Sequence, residues 1–141
     1  MGKAKMIFHI VTEKDFLHSI KGDNYIPANF NEFGFVHCAL EVSVIAVAND
    51  YYSSVEDNLL LLKIDPSKLK SQTKYESAVP EKGAGTQHIS TSLIFPHVYG
   101  SIDNSSIEGI GVLSKEKKGY VWPKEYKSLS EYLKRENKIT A

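Results

Sequence analysis

The sequence predicts an α+β domain with a mainly antiparallel, strongly bent or split sheet and two to three helices. Three observations carry this expectation. Strand-like segments outnumber helical ones, and they are grouped rather than alternating regularly with helices. The run Leu59–Ile64 is continuously apolar and short, as a central strand buried on both faces should be. Other segments, such as Phe33 to Cys38, alternate in the period of two that marks a pleated strand.

The elements follow in order. Met6 to Val11 reads as a buried strand. Thr12 can cap the next helix, with Asp15 three residues on, and Phe16, Leu17 and Ile20 give that helix one apolar face. Gly22 is expected to stop it. Asp23 to Asn31, interrupted by Pro27, reads as irregular. Phe33 to Cys38 then forms a short strand with Phe33, Phe35 and His37 on one face.

Leu40, Val44, Val47, Ala48 and Tyr51 recur at helical spacing, so a helix runs to about Tyr52. After the Leu59–Ile64 strand, Asp65-Pro66-Ser67 begins a tight turn or one helical turn. Lys74 to Val79 reads as a partly exposed strand and Pro80 to Ser90 as a glycine-containing loop. Strands are expected at Ser92 to Ser101 and Ile107 to Leu113, and a solvated turn at Lys115 to Lys118. A last helix covers Ser128 to Asn137, with Ser128 and Glu131 spaced as a capping box.

Composition narrows the function classes. A chain of 141 residues is one domain by length, residues 1–141. Its 17 basic and 17 acidic side chains balance, which removes the basic excess expected of a nucleic-acid footprint. The single cysteine, Cys38, suits a reducing compartment. The apolar run after Met1 to Met6 ends at Thr12 and Glu13, too soon for a secretory core, and no run approaches the ~20 residues of a membrane span. The expectation is a cytoplasmic protein without a membrane partner.

Three histidines lie in apolar, strand-like stretches: His9, His37 and His97. Imidazole nitrogens there must find partners, and three in separate strands suggest a shared pocket. His18 and His88 sit in polar surroundings, and both read as exposed. Phe95, His97 and Tyr99 would share a face, suiting a flat heteroaromatic ligand. Glu76 is either a base or ribose contact, or an exposed strand carboxylate. Three histidines from different strands can build an open metal site, but no His-x-His or His-x-x-x-His pair occurs and no carboxylate adjoins them in sequence, so metal chemistry is the weaker alternative. Cys38 points away from His37 in a strand, so the two do not form a nucleophile pair. Gly83-Ala84-Gly85-Thr86 lacks the strand-and-helix context of a phosphate loop.

The segments Ile7-Phe8-His9-Ile10, Gly34-Phe35-Val36-His37-Cys38, Tyr75-Glu76 and Phe95-Pro96-His97-Val98-Tyr99-Gly100, in this order, resemble domain-of-unknown-function family 952 over about residues 6–113. The remainder, with the helix near 128–137, is a C-terminal extension. The resemblance implies a small bacterial cytoplasmic protein and a compact relative of the ADP-ribosyltransferase-like fold, which holds NAD between two small sheets. His9 would then contact a ribose, His37 would pack on the base, and His97 would fill a third motif position where many transferases carry a glutamate. Ala39 and Ser43 stand where the family has Ser and Gln.

Two classes of function follow. One is a transferase-like or phosphotransferase-like enzyme on NAD or a nucleotide conjugate, with His37 and His97 catalytic and His9, Phe35, Glu76 and Tyr99 binding the ligand. The other is a non-catalytic module for a nucleotide or small molecule. A metal-dependent enzyme using the three histidines is a further alternative. No firm cofactor is implied; NAD would be a substrate.

Overall fold

The structure is a computed structural model and describes residues 5–77 and 93–140. Ten strands and four helices are present among these residues. Strand β1 (Ile7–Thr12) leads into helix α1 (Glu13–Ser19), where Thr12 Oγ1 accepts the Asp15 amide at 3.2 Å. Such a cap contributes about 1 kcal/mol. The helix ends sooner than Gly22 suggested. Ile20 leaves it in extended conformation and begins a tight hairpin, β2 (Ile20–Lys21) and β3 (Asn24–Tyr25). Gly22, at φ 56°, makes the hairpin turn instead of a helix cap.

Helix α2 (Phe30–Phe33) is a single turn that spans the end of the segment expected to be irregular, Asp23 to Asn31, and the first residue of the expected strand, Phe33; Gly34 closes it in the left-handed region at φ 79°. Strand β4 (Val36–His37) is therefore shorter than the Phe33 to Cys38 expected. A 3-10 turn at Glu41–Ser43 precedes α3 (Val44–Tyr52). Next come β5 (Leu59–Ile64), β6 (Gln72–Ser77), β7 (Ile94–Tyr99) and β8 (Ile102–Asp103). Strand β9 (Ile107–Glu116) takes in Lys115 and Glu116, so the turn expected at Lys115 to Lys118 is confined to Lys117 and Lys118, and β9 pairs across it with β10 (Gly119–Val121). Helix α4 (Leu129–Thr140) is capped by Ser128 Oγ, which accepts the Glu131 amide at 3.2 Å. Val79, the Pro80 to Ser90 loop, Gly83 to Thr86 and His88 lie outside the described residues.

The strands form three antiparallel sheets, in the orders β1-β5-β9-β10, β2-β3-β8 and β4-β7-β6. The antiparallel, split sheet expected from the sequence is thus present. The first and third sheets are stitched together where Phe8 and Ala39 exchange backbone hydrogen bonds of 2.9 and 2.7 Å. Strand β5 lies in the middle of its sheet and is buried on both faces, which is why its sequence shows no alternation. On one face Ile7, Leu60, Leu62 and Ile64 pack with Phe16, Tyr25, Val36, Val98 and Tyr132. On the other, Phe8, Ile10, Leu59 and Leu61 pack with Val44, Ala48, Phe95 and Tyr120.

Candidate functional site

The pairing of β4 with β7 puts His37 directly opposite His97, and their rings lie 5.9 Å apart, edge to face. On the far side of β7, Lys74 stands opposite His97, Glu76 opposite Phe95 and Gln72 opposite Tyr99. Residues paired across an antiparallel ladder point to the same face, so the sheet gathers these side chains together.

The gathered groups are bonded to one another. His97 is 1% exposed, and its Nδ1 lies 2.8 Å from Glu76 Oε1. The Tyr99 hydroxyl donates to the same carboxylate oxygen at 2.6 Å. These two hydrogen bonds, that from Tyr99 being the stronger influence, hold the Glu76 carboxyl below its usual range. The reciprocal effect keeps the Tyr99 phenol protonated to higher pH than usual. Because an ionised carboxylate only accepts, His97 carries its proton on Nδ1. Its Nε2 takes no hydrogen bond from the described residues.

Aromatic rings complete the cluster. Phe35 stacks on His97 with centroids 4.0 Å apart and planes 23° from parallel. Phe35 also lies 4.7 Å from the His37 ring and 5.4 Å from the Tyr99 ring. Phe33 meets His37 edge-on at 4.6 Å. Although Phe33 belongs to α2, the left-handed Gly34 turns the chain so that Phe33, Phe35 and His37 still converge. The Lys74 ammonium stands 4.9 Å from the Tyr99 ring centroid. Tyr99 and Glu76 form the more open side of the cluster, each with 38% exposure, for Glu76 that of its side chain.

His9 is in contact with this group but faces away from it. Its Nδ1 lies 2.6 Å from the His37 carbonyl oxygen, so this nitrogen donates, and Nε2 accepts from the Tyr25 hydroxyl at 2.7 Å. Burial lowers its pKa to about 4, so it is neutral at physiological pH. Both nitrogens are engaged within the protein, and a ligand would reach this imidazole only by displacing Tyr25 or the His37 carbonyl. Cys38 is buried in the core on the other face from His37, and desolvation pushes its thiol pKa up, away from nucleophilic reactivity. His18 is exposed on α1. Among the described residues no three His, Cys, Asp or Glu side chains converge as a metal cage.

Of the six site residues predicted, five (Phe35, His37, Glu76, His97 and Tyr99) converge, and His9 braces them from behind. Sequence reasoning missed Lys74 and Tyr25. Lys74 was within reach, since it alternates onto the Glu76 face. Tyr25 offered no signal, because it lies in the segment Asp23 to Asn31, which the sequence leaves irregular, and reaches the site on the β2–β3 hairpin.

Comparison with known proteins adds a family and a fold. The model of the family described as "Protein of unknown function (DUF952)" matches residues 10–110. The crystal structure of protein CC0527 from Caulobacter crescentus is similar at a TM-score of 0.63 with 18% sequence identity, covering 92% of this chain and 99% of that one. A double mutant of CC0527 matches equally well. No curated protein matches. No described helix is long and apolar enough to cross a membrane.

Proposed function

The chain belongs to the DUF952 family, and we propose that it is a transferase-like enzyme acting on NAD or a related ADP-ribose or nucleotide conjugate, with a compact ADP-ribosyltransferase-like fold. The single observation that carries this reading is the Glu76 carboxylate, which holds His97 Nδ1 at 2.8 Å and Tyr99 at 2.6 Å. A carboxylate placed there fixes the imidazole tautomer and leaves Nε2 as proton acceptor, the arrangement a general base needs. His37, Phe33 and Tyr99 supply ring surfaces for a flat heteroaromatic group.

In this reading the O–H proton of an acceptor passes to His97 Nε2 while its oxygen bonds to the ribose carbon. The bond from that carbon to the nicotinamide nitrogen breaks, and neutral nicotinamide leaves with the electron pair. His9 serves as a positioning residue through the His37 carbonyl. Lys74 offers a cation beside the cluster for a phosphate.

A second reading, a binding module without chemistry, is favoured by the 1% exposure of His97, whose ring is covered by Phe35. Incubation with NAD followed by chromatography separates the two. The enzyme reading expects nicotinamide release that falls at least about a hundredfold in His97→Asn, with NAD binding retained. NAD bound by the wild type but recovered intact supports the module. Absence of binding by NAD, ADP-ribose and adenine nucleotides at millimolar concentration refutes the enzyme reading and a nucleotide-binding module alike.

A further inference from the structure

A concavity of about 840 Å³ lies between the first sheet, the turn after Ala39 and the C-terminal segment, and none of the histidine-cluster residues lines it. Its floor follows from strand register. Phe8, Lys63 and Gly109 stand opposite one another across β1, β5 and β9, so they share one face. Gly109 leaves a gap in that row, and Tyr126 fills it: a Cβ at Gly109 would sit 2.9 Å from Tyr126 Cβ. In the next row, Ile10, Leu61 and Gly111, the gap is filled by Pro123, whose Cβ would lie 2.5 Å from one at Gly111.

Backbone hydrogen bonds of 2.8 and 2.9 Å between Ile110 and Lys127 fix the end of this strap. On the opposite flank, Ala39 is bridged to Phe8, and the chain turns from there through Leu40 to Ile45. The cleft is therefore held between two walls that are each tied to the sheet by backbone bonds. Trp122 stands edge-on to Phe8 at 5.6 Å and forms part of the strap wall.

The walls are mainly apolar, with Met6, Phe8, Leu40, Ile45 and Trp122 among them. The charged groups are the ammoniums of Lys5 and Lys63 against the single carboxylate of Glu41. Lys63 makes no ion pair with the described residues; its Nζ lies 5.5 Å from the centroid of the Tyr126 ring, at the strap wall. An open, largely apolar cleft within the roughly 300–1,000 Å³ range, with a few charged groups in its lining, has room for a small molecule.

We propose that this cleft binds an apolar-bodied carboxylate, an aryl or medium-chain acyl acid. Its hydrocarbon would lie against Phe8, Leu40, Ile45 and Trp122, and its carboxylate would meet Lys63 and Lys5. Lys5, Phe8 and the strap from Trp122 to Tyr126 fall outside the family-matched residues 10–110, whereas Leu40, Ile45 and Lys63 fall within them, so the cleft joins matched and flanking segments. It shares no lining residue with the histidine cluster and is independent of the nucleotide reading.

Trp122 is the only tryptophan in the sequence, so its fluorescence reports on the cleft directly. Titration of the full chain with octanoate should change that emission saturably, with octylamine binding at least about tenfold more weakly. Lys63→Gln should weaken octanoate about tenfold, the effect of losing one charge-assisted contact, at unchanged melting temperature. Tyr99→Phe should leave octanoate binding intact. Equal binding of octanoate and octylamine, no saturable response, or loss of binding in Tyr99→Phe overturns the proposal. So does a concentration-dependent Trp122 signal without ligand that coincides with dimers in sedimentation, since a second copy would then close the cleft.

Discussion

His9 and His97 are both buried imidazoles, yet their partners give them different chemistry. His9 spends both nitrogens on neutral groups, the His37 carbonyl and the Tyr25 hydroxyl. An unfolded imidazole takes a proton near pH 6.5, and the folded one only near about 4. The unfolded state therefore binds more protons across that window, so stability is full above 6.5 and declines as pH falls towards 4. At 1.36 kcal/mol per unit, the decline amounts to roughly 3 kcal/mol at most. Urea midpoints measured from pH 7 to 4 should show this slope in the wild type and a flatter one in His9→Gln. Glu76 acts at lower pH. Folding lowers its pKa, so its contribution is complete above the ordinary carboxyl value of 4.5 and disappears as pH falls through the lower folded value. Subtracting the Glu76→Gln profile from the wild-type profile should isolate that acid-side loss; a difference that does not change below pH 5 would mean that the carboxylate is not engaged as described. The cluster residues were legible because each alternates onto a strand face rich in aromatic side chains. The Glu76 contacts were not, since they depend on how β6 registers against β7, which local sequence does not specify.

Among the elements, the long strand β5 was readable to the residue because double burial leaves an uninterrupted apolar run. The hairpin β2–β3, helix α2 and strand β10 were not. Each of their segments is two to four residues long; the strands are held mainly by backbone pairing and a single buried anchor, Tyr25 or Tyr120, and α2 buries no residue. The C-terminal strap is set by glycine: Gly111→Ala would place a methyl 2.5 Å from Pro123 Cβ and 3.2 Å from the Glu125 carbonyl oxygen. Overpacking of this kind costs about 1–3 kcal/mol, and here it should also change Trp122 emission as the strap lifts. Gly34 presents the opposite case, since a Cβ there meets nothing within 4 Å. Gly34→Ala should cost only the left-handed backbone penalty, about 1–2 kcal/mol. Chemical denaturation of the two variants checks both values, and a neutral Gly34→Ala would show that the turn adapts.

For the molecule as a whole, the antiparallel split sheet was expected and the sheet order was not. The junction that matters is the Phe8–Ala39 bridge, which seats the β4-β7-β6 sheet against β1 and so brings His9 beneath His37. Charge balance and apolar runs are whole-chain properties and read directly from composition, whereas that junction joins segments about thirty residues apart and depends on tertiary packing. The central claim, that the β4-β7-β6 face is a nucleotide site, is tested most directly by the imidazole resonances of the folded protein. During titration with NAD and with ADP-ribose, the His37 and His97 signals should shift saturably at submillimolar ligand while exposed His18 stays fixed. Unchanged His37 and His97 signals at millimolar ligand would contradict the assignment.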